Sequence, residues 1–285
     1  MKLVMTLLIR DEEDVLRANL DFHLSQGVDF FIVTDNRSVD GSKDILMEYQ
    51  KRGLLHYMYE SEDNYNQHKW VTRMARMAAV EYRADWVINN DADEFWWPSV
   101  HASLKEAIES VDRTHTVIEA NRVNFVPLEK TFERTKFYEE MIYREVRSFN
   151  PLGVPLPPKQ AHKASDRIVV HQGNHCVEGL EKKVIKHDLI EIFHFPIRSE
   201  MQLLNKIAKG GAAYERNNEL PQEVGNTWRK LYERLRKDGN LDHYLSTHIY
   251  DESKLQESFQ NKLIVEDTRL KQHLLKIYAQ KATSR

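Results

Sequence analysis

Residues 85–98 read Asp-Trp-Val-Ile-Asn-Asn-Asp-Ala-Asp-Glu-Phe-Trp-Trp-Pro, an apolar run that ends in the carboxylate cluster Asp91-Ala92-Asp93-Glu94. Asp91 and Asp93 stand two apart, so in extended backbone their side chains point the same way. Such a pair could hold one hard divalent cation, Mg²⁺ or Mn²⁺, and through it neutralise a diphosphate. Phe95, Trp96 and Trp97, stopped by Pro98, would set flat apolar faces beside the ion. They could equally pack a core, because tryptophan is well buried on average. Taken alone, Asp-x-Asp is also compatible with an acidic turn after a core strand.

The preceding residues must position this cluster. Leu3–Ile9 reads as a strand, Glu13 to Gln26 as a helix with apolar residues at helical spacing, and Phe30–Val33 as a second strand. A turn-rich stretch from Thr34 to Ser42 leads into a helix through about Lys51. Leu54 to Tyr59 suits a third strand, and a helix from about Asn66 to Tyr82 precedes the strand that carries Asp91. The β-α-β-α-β-α-β order predicts a mainly parallel twisted sheet with helices on both faces, and ligands gather at the carboxyl ends of such strands. Asp11, Asp35 and Asp91 all fall just past predicted strand ends. Beyond residue 100 the pattern predicts a helix near 102–110, strands near 115–125, 141–149, 167–171 and 189–195, and a stiff Pro-rich loop at 151–158. From Glu200 onward the pattern is helical.

The chain has 285 residues, 41 basic against 44 acidic, for a formal net charge of −3, so no global basic field argues for a nucleic-acid partner. A single cysteine, Cys176, cannot form an intrachain disulfide, which suits a reducing compartment. The short apolar start runs into Arg10-Asp11-Glu12 without a small-residue cleavage site. The expectation is a cytoplasmic protein, with peripheral association at the inner face of a membrane left open.

Three segments in order, Met5 to Asp14, Thr34 to Ser42 and Asp91-Ala-Asp-Glu-Phe95, resemble the nucleotide-binding half of family 2 glycosyltransferases. The likeness is nearest the bacterial family-2-like branch and covers about residues 3–210. It implies an α/β GT-A fold in residues 1–215 with a nucleotide-binding half (1–100) and an acceptor and diphosphate half (101–215), followed by a helical extension (216–285). It further implies metal-dependent transfer of a sugar from a UDP- or GDP-sugar to a glycan or glycoconjugate hydroxyl, with inversion. Asp11, Glu12 and Asp35 match positions that contact base and ribose, although Asp11 could cap a helix and Asp35 could make an Asx-turn. Asp91 and Asp93 would hold Mn²⁺ or Mg²⁺, Asp91 sharing the ion or the ribose. The segment His194-Phe-Pro-Ile-Arg198-Ser199, then Lys206 before Gly210-Gly211, resembles a family element in which the histidine completes the metal shell. Arg198 and Lys206 would meet the diphosphate. An inverting transfer needs a base for the acceptor hydroxyl; His175 and Glu178 are the candidates, with Glu181 behind them, within reach if a helix starts after Gly173. His162 and His171 read as structural. Two rivals are a nucleotidyltransferase, disfavoured because residues 3–26 hold no glycine for a phosphate loop, and a non-catalytic nucleotide- or glycan-binding module.

Overall fold

The computed structural model describes residues 1–132, 136–150 and 153–283. The chain alternates β1 (Leu3–Ile9), α1 (Glu13–Ser25), β2 (Phe30–Asp35), α2 (Ser42–Lys51), β3 (Leu55–Tyr59), α3 (Gln67–Val80), β4 (Trp86–Asn90) and β5 (Glu94–Pro98). There follow α4 (Leu104–Glu109), β6 (Val117–Asn124), α5 (Phe137–Glu140), β7 (Tyr143–Glu145), β8 (Lys159–Lys163), β9 (Val169–Val170), β10 (Val177–Glu178) and β11 (Val184–His194). The remainder comprises α6 (Glu200–Arg216), α7 (Asn226–Asp238), α8 (Asp242–His248), α9 (Glu252–Gln260), β12 (Ile264–Glu266) and α10 (Arg269–Thr283). Among the described residues no helix is long and apolar enough to cross a membrane.

Two compact units divide the chain: Met1–Glu62, Asn66–Arg122 and Pro157–Phe193 form the first, and Asp63–Tyr65, Val123–Leu156 and His194–Arg285 the second. The sequence pattern placed one boundary near residue 215. Residues 123–156 and 194–215 instead join the C-terminal helices. Each unit draws on separate stretches of chain, and no shift in composition marks such a crossing.

The first unit is built on a sheet of order β3-β2-β1-β4-β8-β6-β11-β5. Strand β1 pairs in parallel with β2 and β4, and β2 in parallel with β3. Strand β8, which the hydrophobic pattern did not reveal, runs antiparallel to both β4 and β6. Alternation sends Val4, Ile32 and Val87 to one face, where they pack on Val71, Met74, Ala75 and Ala78 of α3. It sends Leu3, Met5 and Leu7 to the other, and these are also 0% exposed. Burial on both faces explains why β1 reads as a continuous apolar run. Each such side chain contributes about 1.5–3 kcal/mol.

In the second unit β7 pairs antiparallel with β12, and Ile197, Leu203, Ile207, Leu231, Leu241 and Leu245 form the core. Ser199 caps α6 by accepting from the Gln202 amide at 3.1 Å. Gly210 and Gly211 let α6 and α7 approach closely: a Cβ there would lie 2.4 Å from Trp228 and 2.2 Å from Tyr232. Pro151 and Leu152 of the expected Pro-rich loop lie outside the described residues.

Candidate active site

The sheet order places β1 between β2 and β4, so the strand order reverses at β1 and β4, the position where open α/β sheets bind ligands. Register sets Ile9 opposite Asp35 and Leu7 opposite Asn90. The segments carrying Asp11, Asp35 and Asp91 therefore leave neighbouring strands at one sheet edge.

The Asp91–Glu94 turn is held by buried side chains of α1 and β4. Asn19 of α1 is fully buried, and its amide donates to the carbonyls of Ala92 and Glu94, each at 2.8 Å. Asn90 donates to the Glu94 carbonyl at 3.2 Å and accepts from the Trp96 indole at 2.9 Å. His23 takes the Trp96 backbone amide at 3.2 Å. The Asn89-Asn90 pair closes β4. The aromatic trio that follows is mostly core. Phe95 and Trp96 are 0% exposed, and Trp97 stacks on Phe193 at 5.4 Å and Phe22 at 5.8 Å.

Above this base lies a charged cluster. The Lys159 ammonium reaches Asp91 Oδ2 at 2.5 Å and Glu94 Oε1 at 3.3 Å, and Arg122 Nη1 donates to the same Glu94 oxygen at 3.2 Å. Lys159 and Glu94 are 1% and 0% exposed, whereas about a third of the Asp91 side chain, 31%, meets solvent. On its other side Asp91 Oδ1 accepts from Asn174 Nδ2 at 3.1 Å and, weakly, from Gln67 Nε2 at 3.5 Å. Gln67 in turn accepts from the Gly173 amide, and Asn174 adopts a left-handed backbone (φ 61°) to reach its partner. Burial raises the Glu94 carboxyl above the usual range, with Lys159 and Arg122 opposing it and Asp91 and Asp93 adding to it. Two buried acceptors, Glu94 Oε2 and Asn174 Oδ1, have no protein partner. Asp93 itself is 3% exposed.

The other expected nucleotide residues are occupied differently. Asp35 Oδ1 accepts from the Ser38 amide, three residues on, at 2.9 Å, and its Oδ2 accepts from the Tyr57 hydroxyl at 3.2 Å. Burial, followed by Asp35, pushes that phenol up to about 12. Asp11 (φ 54°) does not cap α1; its Oδ1 accepts from the Val39 amide at 2.7 Å, and its own amide donates to Ser38. The Glu12 amide donates to Ser42.

His175 and Glu178 do not share a helix. A short 3₁₀ turn at Gln172–Asn174 is followed by β10, which carries Glu178, because Gly173 (φ 78°) breaks helical backbone. Glu178 is exposed and pairs with His171 at 3.0 Å. His175 is half-buried, its Nδ1 bonding the Pro158 carbonyl at 3.0 Å. Burial, then Lys159 and Arg122, lower its conjugate acid to about 3, a weak proton acceptor at neutral pH. His162, fully buried, is satisfied by Asn89 at 3.0 Å and the Lys163 carbonyl at 2.8 Å.

His194, Arg198 and Lys206 belong to the second unit. His194 Nδ1 bonds Asn124 Oδ1 at 2.8 Å. The Arg198 guanidinium is buried and donates to the Phe195 carbonyl at 3.0 Å. The Lys206 ammonium lies 5.9 Å from the centre of the Trp228 ring.

Among the described residues no group of three or more His, Cys, Asp or Glu side chains is arranged as a metal cage. The Asp91 carboxylate is partly open to solvent, with the Lys159 ammonium on one oxygen and the Asn174 amide on the other. Sequence reasoning passed over Glu94, Arg122 and Asn174 as site residues. Only a stray basic residue inside an apolar strand could have pointed to Arg122.

Comparison with curated protein sequences returns no significant match. Among solved structures, S. aureus TarS residues 1–349 with UDP-GlcNAc aligns at a TM-score of 0.47 and 12% identity, covering 83% of this chain and 73% of that one. Glucosyl-3-phosphoglycerate synthase from Mycobacterium tuberculosis, with Mn²⁺, UDP and glucosyl-3-phosphoglycerate, aligns at 0.32 and 16%, covering 42% and 44%. Both are distant likenesses. The sequence motifs pointed to family 2, but the family profile that matches is a different one. It spans residues 5–273, almost the whole sequence, and the chain belongs to glycosyltransferase family 92.

Proposed function

We propose that this glycosyltransferase moves a sugar from a UDP- or GDP-sugar to a hydroxyl of a glycan or glycoconjugate, with Asp91 at the centre of its donor site. The observation that carries this reading is the Asp91–Lys159–Glu94–Arg122 cluster at the strand-order reversal, with Lys159 and Glu94 fully buried and Asp91 partly open to solvent. Burying the Lys159 ammonium and the Glu94 carboxyl costs several kcal/mol per ion unless the geometry offsets it. Such an arrangement is more readily explained by chemistry than by stability.

Lys159 and Asn174 fix the two Asp91 oxygens, so the carboxylate meets its ligand already oriented. The unpartnered oxygens of Glu94 and Asn174 call for hydrogen-bond donors, which sugar or ribose hydroxyls supply. Asp91 and Asp93 would hold Mn²⁺ or Mg²⁺. When bound, that ion would offset the charge that grows on the leaving nucleoside diphosphate. Inversion is the stereochemistry implied by the family 2 resemblance, and the low basicity of His175 makes it a poor choice for the required base. The free Cys176 supports action in a reducing compartment.

Incubation with a panel of UDP- and GDP-sugars, with Mn²⁺ or with chelator, and product mass as readout, tests the proposal. Metal-dependent release of nucleoside diphosphate that Asp91→Asn abolishes is the expected result. Unchanged release by that variant would overturn it.

A further inference from the structure

The turn between β9 and β10 sets an imidazole beside the Asp91 cluster, and every residue of this neighbourhood belongs to the first unit. His175 Nδ1 lies 3.0 Å from the carbonyl of Pro158, the residue before Lys159. A carbonyl only accepts, so Nδ1 carries the hydrogen and Nε2 of the neutral ring carries the lone pair. Among the described residues Nε2 has no hydrogen-bond partner.

Gly173 leaves that nitrogen uncovered. A Cβ at this residue would lie 2.8 Å from Nε2 and 2.7 Å from Cδ2, and at φ 78° a side chain there would also be strained. The turn is fixed to the cluster at three points. The Gly173 amide donates to Gln67 Oε1 at 2.9 Å, Asn174 Nδ2 to Asp91 Oδ1 at 3.1 Å, and His175 Nδ1 to Pro158. Nε2 is thus held in place before a ligand arrives, which lowers the ordering cost of binding.

The surroundings select the ligand. Lys159 and Arg122 act electrostatically on the ring, which disfavours a metal cation at Nε2. A lone pair repels a phosphate oxygen and accepts from a hydroxyl. The adjacent Asn174 Oδ1 is a second acceptor without a partner, so the turn suits a ligand with more than one hydroxyl.

We propose that His175 reads a hydroxyl of the nucleotide-sugar donor through Nε2, as a specificity-determining residue rather than the base, with Gly173 keeping that nitrogen accessible. The hydroxyl belongs to the ribose or to the transferred sugar. The inference rests on the donor site proposed above and names a contact within it.

The test is calorimetric binding to the full chain with Mn²⁺ present. The probes are UDP and GDP, their 2′- and 3′-deoxy forms, UDP-glucose, UDP-galactose, UDP-N-acetylglucosamine and GDP-mannose. His175→Phe keeps a ring and removes the acceptor, whereas His175→Gln can return an oxygen to the Nε2 position. If the ribose is read, His175→Phe should weaken the parent nucleotide by about 3- to 10-fold, the scale of one neutral hydrogen bond. One of its deoxy forms should then bind both proteins equally. If the transferred sugar is read, only sugar nucleotides should weaken. In either case His175→Gln should recover most of the affinity. Unchanged affinity of His175→Phe for every probe, or an equal loss across all of them, would overturn the inference while leaving the donor site standing. Failure of wild type to bind any probe would remove the donor site and the inference together. Should His175→Phe fail to fold by circular dichroism, the nitrogen-15 spectrum of the wild-type imidazole decides. An unprotonated Nε2 that shifts with bound probe supports the contact, and a protonated or unmoved Nε2 overturns it.

Discussion

Two sets of carboxylates at one edge of the sheet are treated in opposite ways. Asp11 and Asp35, after β1 and β2, accept from the backbone amides of Val39 and Ser38 and so knit two loops together. Asp91 and Glu94, around the β4–β5 turn, are met by the buried ammonium and guanidinium of Lys159 and Arg122. A carboxylate satisfied by backbone N–H groups has its hydrogen-bonding capacity spent on local structure. One held by side-chain cations draws its partners from strands distant in the chain. Equal placement at strand ends therefore does not imply equal function.

The contrast can be broken or sharpened by experiment. Asp91→Asn, which keeps shape and removes charge, should lower transfer by at least about 10²-fold, the scale of losing one preorganised electrostatic partner. Its melting temperature should change little. Lys159→Met leaves Asp91 and Glu94 without their shared ammonium and should cost roughly 3–5 kcal/mol in denaturant unfolding. Adding Glu94→Gln should recover part of that loss, and a double variant no more stable than the single would show that the two do not share a pair.

Acid provides a third probe, acting beneath the same turn. Burial lowers His23 to about 3 and His162 to about 4. Both are neutral in the folded protein where the unfolded chain, near 6.5, already takes up protons. Their contribution is complete above pH 6.5 and declines as pH falls toward those folded values, by roughly 2 kcal/mol each at pH 5. Protonated His23 could no longer accept the Trp96 amide, so exchange protection at Trp96 should fall before that at Ser38. Loss in the reverse order would place the weak point in the β1 and β2 loops.

Asp35→Ala should cost about 1–2 kcal/mol of stability, as loss of a side-chain cap does, with nucleoside-diphosphate affinity changed less than by Asp91→Asn. A greater loss of affinity than Asp91→Asn causes would return Asp35 to the ligand. Smallest of all, Glu178→Gln should leave turnover within about twofold of wild type, because this exposed side chain pairs with His171 on the surface. Loss by the roughly 10²-fold typical of a general base would restore its catalytic assignment.

Local order along the chain determined much of this protein. Alternating apolar periods placed β1, α1, β2, α2, β3, α3 and β4 to within a few residues, because strands buried on both faces and amphipathic helices carry their own periodicity. The same order set Asp11, Asp35 and Asp91 at strand ends, and the motif sequence pointed to a glycosyltransferase. Only tertiary structure decided which carboxylates meet buried cations. Lys159 and Arg122 come from strands distant in sequence, and nothing near Asp91 encodes their approach. Nor could periodicity tell that Phe95 and Trp96 are core, that Gly210-Gly211 serve a helix crossing, or that Gly173 diverts Glu178 onto a strand. Pairing partners, burial and proton positions are properties of contacts between segments, and those exist only once the chain has folded.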